Sequence, residues 1–222
     1  MDRSVISQAM EDYLKAIYKL QERCEQVSTS ALADYMNVTP ASVTSMCKKL
    51  AGLKLLDYKP YQGVKFTPAG KKLALEIVRH HRLIELYLAE ALGVPWDQVH
   101  EEAEKLEHVI SEDLEERMAA VLGDPKFDPH GAPIPSRTGV VIQRAEGRLV
   151  DMETGDRLVV VGVDDQNPAF LRYLGGMGIY PGTKIQLVDC APFEGPLTLT
   201  LGDDQHSLGY QAAQSILVAL QD

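Results

Sequence analysis

In the stretch WDQVHEEAEKLEHV, His100, Glu104, Glu107 and His108 stand at spacings of four, seven and eight residues. A helix expected over about 96–109 turns roughly 100° per residue, which sets all four on one face. Two imidazoles and two carboxylates are costly to bury without a partner, and a divalent cation is the simplest one. The preceding helix carries His81 and Glu85, again four apart and on one face. Asp12 lies on the first helix, and Asp128 and His130 lie in a proline-rich strap. Carboxylate and imidazole donors without a thiolate suit Mn²⁺ or Fe²⁺ in octahedral geometry, and Zn²⁺ binds such donors through raw affinity. The plainer alternative makes Glu101, Glu102 and Glu104 a solvated acidic face and His81 an ordinary histidine. His80 is read that way.

A second set of residues suits a polyanion. The helix opened by Pro40 presents Thr39, Ser42, Thr44 and Ser45 near its N-terminal end, short polar groups of the kind that reach base edges in a major groove. Lys48 and Lys49, with Lys59 and Lys65 in the following hairpin, are spaced for phosphate contacts. Tyr58 and Tyr61 suit packing against the sugar-phosphate chain. The alternative is a core helix whose serines face water.

The elements that must position these groups follow from periodicity and punctuation. Residues 5–22 carry apolar groups at helical spacing, from Ile6 and Met10 to Ile17 and Leu20. A short helix over 28–36, capped by Ser28 or Thr29, is followed by the turn Asn37-Val38-Thr39. Thr39 then caps a helix that has Pro40 in its first position, where a missing N–H costs nothing. Runs Leu55–Lys59 and Val64–Thr67 around Pro60-Tyr61-Gln62-Gly63 predict a β-hairpin. Thr67 caps a long helix over 68–92, and Ser111 caps another over 111–122. Residues 124–147 read as an ordered strap and a linker. Beyond them, RLVVVGV, KIQLVDC and LTLTL predict a small antiparallel barrel, interrupted by a helix over about 168–176. The fold class is therefore mainly α with β: an N-terminal winged helix-turn-helix over 1–74, a helical section carrying the metal donors over 75–138, and a small antiparallel β-barrel over 148–222.

Bulk properties agree. The net charge of −10 would argue against nucleic acid, but residues 1–75 hold 11 Lys+Arg against 7 Asp+Glu, so a basic head sits on an acidic body. Cys24, Cys47 and Cys190 form no CxxC pair, so a zinc ribbon is not expected. No apolar run reaches the roughly 18 residues of a membrane helix, and the start has no signal-peptide core. A cytoplasmic protein with no membrane partner is expected. No HExxH or Glu-x-x-His pattern accompanies the acidic helix, no nucleophile stands beside a base, and neither an enzyme nor a small-molecule substrate is expected.

The ordered series MEDYLKAIYKL, PASVTSMCKKL, LLDYKPYQGVKFTPAGKK, RHHRLIELYL, VHEEAEKLEHVISEDLEERM and DPHGAPIP resembles the diphtheria-toxin-repressor family across nearly the whole chain. The segment GGMGIYPGTKIQL resembles the SH3-like (FeoA-like) domain that many members carry. The resemblance implies a metal-activated repressor of metal-uptake genes that binds palindromic double-stranded operator DNA as a homodimer. It places Asp12, Glu104, Glu107 and His108 at the primary metal site and His81, Glu85 and His100 at the ancillary site. Asp128 and His130 match strap ligands of manganese-sensing members. Asp12 and Glu104 stand where the iron-sensing branch has Met and Cys, which favours Mn²⁺, with Fe²⁺ as the alternative and Co²⁺, Zn²⁺ or Cd²⁺ as substitutes in vitro. The chain departs from the short manganese regulators at Lys15. It departs from the iron branch at Ala169 and Arg172, where Glu and Gln would supply ligands; Asp164 or Asp165 could stand in. A DNA-binding protein with a purely structural metal is the remaining alternative. The dimer is expected to use Leu86, Leu88, Leu92, Leu114, Met118 and Val121.

Overall fold

The computed structural model describes residues 6–22, 24–144, 147–164 and 166–221. The chain forms two compact units, Met1–His80 with Pro135–Val140, and His81–Ile134 with Val141–Asp222.

In the first unit, α1 (Gln8–Gln21), α2 (Thr29–Met36) and α3 (Pro40–Gly52) precede a hairpin of β1 (Leu56–Lys59) and β2 (Gly63–Phe66). A long helix, α4 (Pro68–Leu92), follows and enters the second unit at His81. Local chemistry sets each boundary. Ser28 Oγ accepts from the Ala31 amide at 3.1 Å, which settles the cap of α2. Asn37 takes a left-handed φ of 52° to end that helix, a conformation Asn tolerates. Thr39 Oγ1 then accepts from the Ser42 amide at 3.2 Å, and Pro40 opens α3. Thr67 accepts from the Gly70 amide at 3.1 Å and donates to Lys54 O at 2.7 Å. It therefore starts α4 and pins that start to the segment after α3. The hairpin pairs Leu56 with Phe66 and Lys59 with Gly63, and Val27 bridges to Val64 in both directions. Met10, Leu14 and Ile17 of α1 meet Leu32, Val43, Cys47, Leu50, Leu55 and Val64 in one buried cluster. Each fully buried aliphatic there contributes about 1.5–3 kcal/mol.

In the second unit, α4 is followed by α5 (Val99–Leu106) and α6 (Glu112–Val121). The helix expected over 96–109 is shorter. Gln98 and Val99 amides both turn back onto Pro95 O, so Trp96–Gln98 form a turn. Glu107 N closes α5 on Ala103 O, and the Val109 and Ile110 amides then both turn back onto Leu106 O. Glu107 and His108 thus stand at and beyond the helix end. His100 and Glu104 stand on α5, and Glu107 and His108 in the turn that follows it. Of the expected dimer residues, Leu88 is buried with Ile84, Val99 and Ala103, Met118 packs on that cluster, and Leu86 packs on Leu83, Ala119 and Ile134. Leu92, Leu114 and Val121 are exposed.

The C-terminal part holds β3 (Gly147–Arg148), β4 (Arg157–Val163), α7 (Pro168–Gly176), β5 (Lys184–Cys190), β6 (Leu197–Leu201), β7 (Asp204–Leu208), α8 (Tyr210–Gln214) and β8 (Ile216–Leu220). The sheet order is β3-β8-β4-β5-β6-β7, antiparallel throughout. Leu158, Val160, Leu187, Leu199, Ile216 and Val218 fill its core with Leu171 and Leu174 of α7. The strap lies along β4: Val163 N donates to His130 O at 2.9 Å. Gly131 has φ +88°, and a Cβ there would fall 2.1 Å from Val161 O, so only glycine allows this approach. Arg144 donates at 2.7 Å to both Gly131 O and Val161 O, while its guanidinium lies 3.9 Å from the Phe127 ring centroid. Among the described residues no helix is long and apolar enough to cross a membrane.

Candidate functional site

The second unit gathers eight of the nine expected metal ligands. α4 supplies His81 and Glu85, one turn apart and both buried. The α5 region adds His100, Glu104, Glu107 and His108, and the strap adds Asp128 and His130. Two carboxylates join the groups into a continuous chain. Glu107 faces His108 through Oε1 at 3.4 Å and His81 Nδ1 through Oε2. Glu85 faces His81 Nε2 at 2.9 Å and His100 Nδ1 at 3.1 Å through Oε1, and its Oε2 lies 3.9 Å from His130 Nδ1. Glu104 Oε1 lies 3.6 Å from His100 and 3.9 Å from His81. The donors fall into groups able to hold a cation, among them His81, His100 and Glu104, and Glu85, Asp128 and His130. Glu104 therefore stands with the ancillary histidines.

Two details fit a metal. His81 Nε2 and His100 Nδ1 are 3.0 Å apart, and two donors about 2.1 Å from one ion at right angles stand about 3 Å apart. The second detail concerns His130. Its Nε2 contacts Trp96 O at 2.8 Å, and a carbonyl only accepts, so Nε2 carries the hydrogen. In the neutral ring, Nδ1 then presents a lone pair to Glu85 Oε2. Both atoms are buried without a hydrogen-bond partner among the described residues. Two acceptors facing each other across 3.9 Å are a poor structural pair and a good half of a cation site.

The electrostatics agree. Burial alone would raise the Glu85 carboxyl, but His81 first and the His100 hydrogen bond next hold it well below the usual carboxylate range. Asp128 is pushed up, by burial first and by the Glu85 charge second, against the pull of Arg82 and His130. Asp128 Oδ1 accepts from the His130 and Ala132 amides, both at 2.9 Å, and Oδ2 stands 3.7 Å from Arg82 Nε. Sequence reasoning missed Arg82. Its place three residues before Glu85, on the same helix face, was the available signal. The Trp96 carbonyl had no signal at all. Asp164 ion-pairs with Arg148 at 3.2 Å, and Asp165 lies outside the described residues.

Asp12, half-buried on α1, belongs to the first unit, as do the residues expected to meet DNA. Ser42, Ser45, Lys48 and Lys49 are exposed on α3, whereas Thr44 is half-buried. Thr39, Pro40 and Ser42 also build the cap of α3, with Thr39 Oγ1 2.9 Å from Ser42 Oγ. Lys59 is exposed at the end of β1. Lys65 donates to Glu25 at 2.6 Å, and that bond holds the Glu25 carboxyl low. Tyr61 is fully exposed at the hairpin tip with φ 63°.

Three family models match in order: "Iron dependent repressor, N-terminal DNA binding domain" over 6–64, "Iron dependent repressor, metal binding and dimerisation domain" over 67–136, and "FeoA domain" over 147–220. The iron-dependent repressor IdeR of Mycobacterium tuberculosis is 28% identical over 221 residues, covering 94% of this chain and 95% of the relative. The diphtheria toxin repressor of Corynebacterium glutamicum is 30% identical over 153 residues, 67% of each. A solved manganese-dependent transcriptional repressor in complex with manganese is 37% identical, with TM-score 0.89 over 95% of this chain and 99% of that one. The structure of ScaR with bound Zn²⁺ is 32% identical, with TM-score 0.80 over 95% and 98%.

Proposed function

The chain belongs to the diphtheria-toxin-repressor family of metal-dependent, DNA-binding transcriptional repressors, and from that premise we propose that it senses Mn²⁺ and represses metal-ion uptake genes. The observation that carries this reading is the pair of buried acceptors, Glu85 Oε2 and His130 Nδ1, in a cluster of oxygen and nitrogen donors without sulfur. Such donors suit the harder divalent ions, Mn²⁺ before Zn²⁺ on geometry though not on raw affinity. A bound cation supplies neutralising charge and a fixed donor geometry.

His81, Glu85 and His100 would hold one ion, with Asp128 and His130 sharing Glu85 in the strap. Asp12 with Glu107 and His108 would hold another and so tie α1 to the turn after α5, while Glu104 would join His81 and His100. With α1 held, two heads of a homodimer present α3 to successive major grooves of a palindromic operator, about 34 Å apart. Residues 1–74 serve as the reading head, 75–138 as the metal-binding and dimerisation domain, and 148–222 as the SH3-like domain. The exposed Leu92, Leu114 and Val121 suit the dimer contact. Base contacts come from Ser42, Thr44 and Ser45. Phosphate contacts come from Lys48, Lys49, Lys59 and Lys65.

Operator binding by fluorescence anisotropy, at fixed salt, across Mn²⁺, Fe²⁺, Co²⁺, Zn²⁺ and Cd²⁺ tests the proposal. Activation by Mn²⁺ at the lowest free concentration supports it, and activation by Fe²⁺ alone makes the protein an iron sensor. A protein that unfolds on chelation has a structural metal instead.

A further inference from the structure

Trp96 is the only tryptophan in the chain, and it stands between the strap and the C-terminal core. Its carbonyl accepts from His130 Nε2 at 2.8 Å, and its ring lies 5.7 Å from the His130 ring, centroid to centroid. On the other side the indole lies 4.8 Å from the Tyr180 ring and packs against the C-terminal hydrophobic cluster. The neighbouring Asp97, buried, is paired with Arg172 of α7 at 2.9 Å. This seat is tight on one side: a Cβ at Gly175 would come 2.7 Å from Tyr180 Oη and 3.3 Å from Trp96 Nε1. A cleft of about 470 Å³ borders the same seat, lined by Pro95, Trp96, Asp97, Arg172, Gly175 and Tyr180 among others.

We propose that Trp96 is a positioning residue that couples cation binding at Glu85, Asp128 and His130 to the docking of the C-terminal domain. The inference rests on the metal reading above. The route runs through one ring. His130 offers Nδ1 toward Glu85 only while Nε2 keeps its hydrogen, and that hydrogen is bonded to Trp96 O. A cation held through Nδ1 locks ring and tautomer together, and the locked ring holds the Trp96 turn in its seat against Tyr180 and Gly175. The dependence is mutual, because a coupling free energy acts equally in both directions: a C-terminal domain that cannot seat Trp96 weakens the cation site.

The test uses the full-length protein and Cd²⁺, which lacks the unpaired electrons of Mn²⁺ that quench indole emission. Trp96 emission is read during the titration, and bound metal is counted in parallel by equilibrium dialysis. The expected result is a saturable blue shift whose midpoint follows loading of the site removed by His130→Ala. Hydrogen–deuterium exchange across α7 gives a second readout, slowed about five-fold or more on loading. Tyr180→Ala, which leaves every proposed ligand untouched and removes the ring 4.8 Å from the indole, is expected to abolish the blue shift and weaken that site about five-fold or more. Trp96→Phe is expected to lose the protection of α7. Emission and exchange unchanged at full occupancy would overturn the coupling and leave the metal site standing. Metal uptake unaffected by His130→Ala and Glu85→Gln would overturn the metal reading itself.

Discussion

Asp128 and Glu85 are two buried carboxylates with shifts of opposite sign, and each makes its own prediction. Asp128 is raised, chiefly by burial, so in metal-free protein at neutral pH its ionised form opposes folding, and that penalty fades as pH falls through the raised value. Asp128→Asn keeps the Oδ1 acceptor for the His130 and Ala132 amides and removes the charge. It is expected to raise the melting temperature of the chelated protein at neutral pH while shrinking the further rise that Mn²⁺ brings to wild type. Glu85 is depressed despite burial. Its contribution is present above the ordinary carboxylate range and is lost as pH falls below that range. Glu85→Gln should therefore flatten the acid limb of stability in urea melts between neutral pH and about pH 3. It should also weaken metal binding by at least about ten-fold, read by competition with a chromophoric chelator. The residue types at these positions were legible in the sequence. Their sharing was not: that Glu85 serves two groups depends on which oxygen faces which ring.

At the scale of elements, caps and breakers gave firm boundaries. Thr39-Pro40, Asn37 and Thr67-Pro68 mark α2, α3 and α4 because their side chains or fixed φ satisfy helix ends directly. The end of α5 was obscured because Glu107 and His108 continue the spacing of donors into the turn after Leu106. β7 (DQHSL) was missed because an edge strand buries little and shows no apolar alternation. The hairpin carries a testable detail. Lys65 is engaged by Glu25, so Glu25→Gln should free one cation for DNA. Operator affinity is expected to rise a few-fold and the log–log salt slope to steepen by up to about 1; an unchanged slope would remove Lys65 from the interface. In the strap, Gly131→Ala pushes a methyl group into the Val161 carbonyl. A loss of about 2 kcal/mol or more is expected in chemical denaturation of the metal-free protein.

For the whole molecule, the charge division read from the sequence, basic over 1–75 and acidic beyond, is that of a protein offering one end to DNA. Most of the acidic excess falls on the stretch that holds the metal donors, and the rest lies in the C-terminal part. The division of the chain into two compact units within α4 was not legible, since no periodicity encodes it. Stripping the metal is expected to leave far-ultraviolet circular dichroism unchanged and operator affinity about ten-fold or more lower, the range of a typical coupling. Lost helicity on chelation would contradict a sensing role.

Cys47 of α3 lies fully buried in the hydrophobic cluster of the first unit, and burial pushes its thiol up to about 11. Alkylating reagents attack the thiolate, so this sulfur is shielded both by its neighbours and by its proton. Cys24 and Cys190, both exposed, react first and can be capped in advance. The slow labelling that remains becomes a built-in clock for transient opening of the DNA-reading head, measurable by mass spectrometry without any introduced probe.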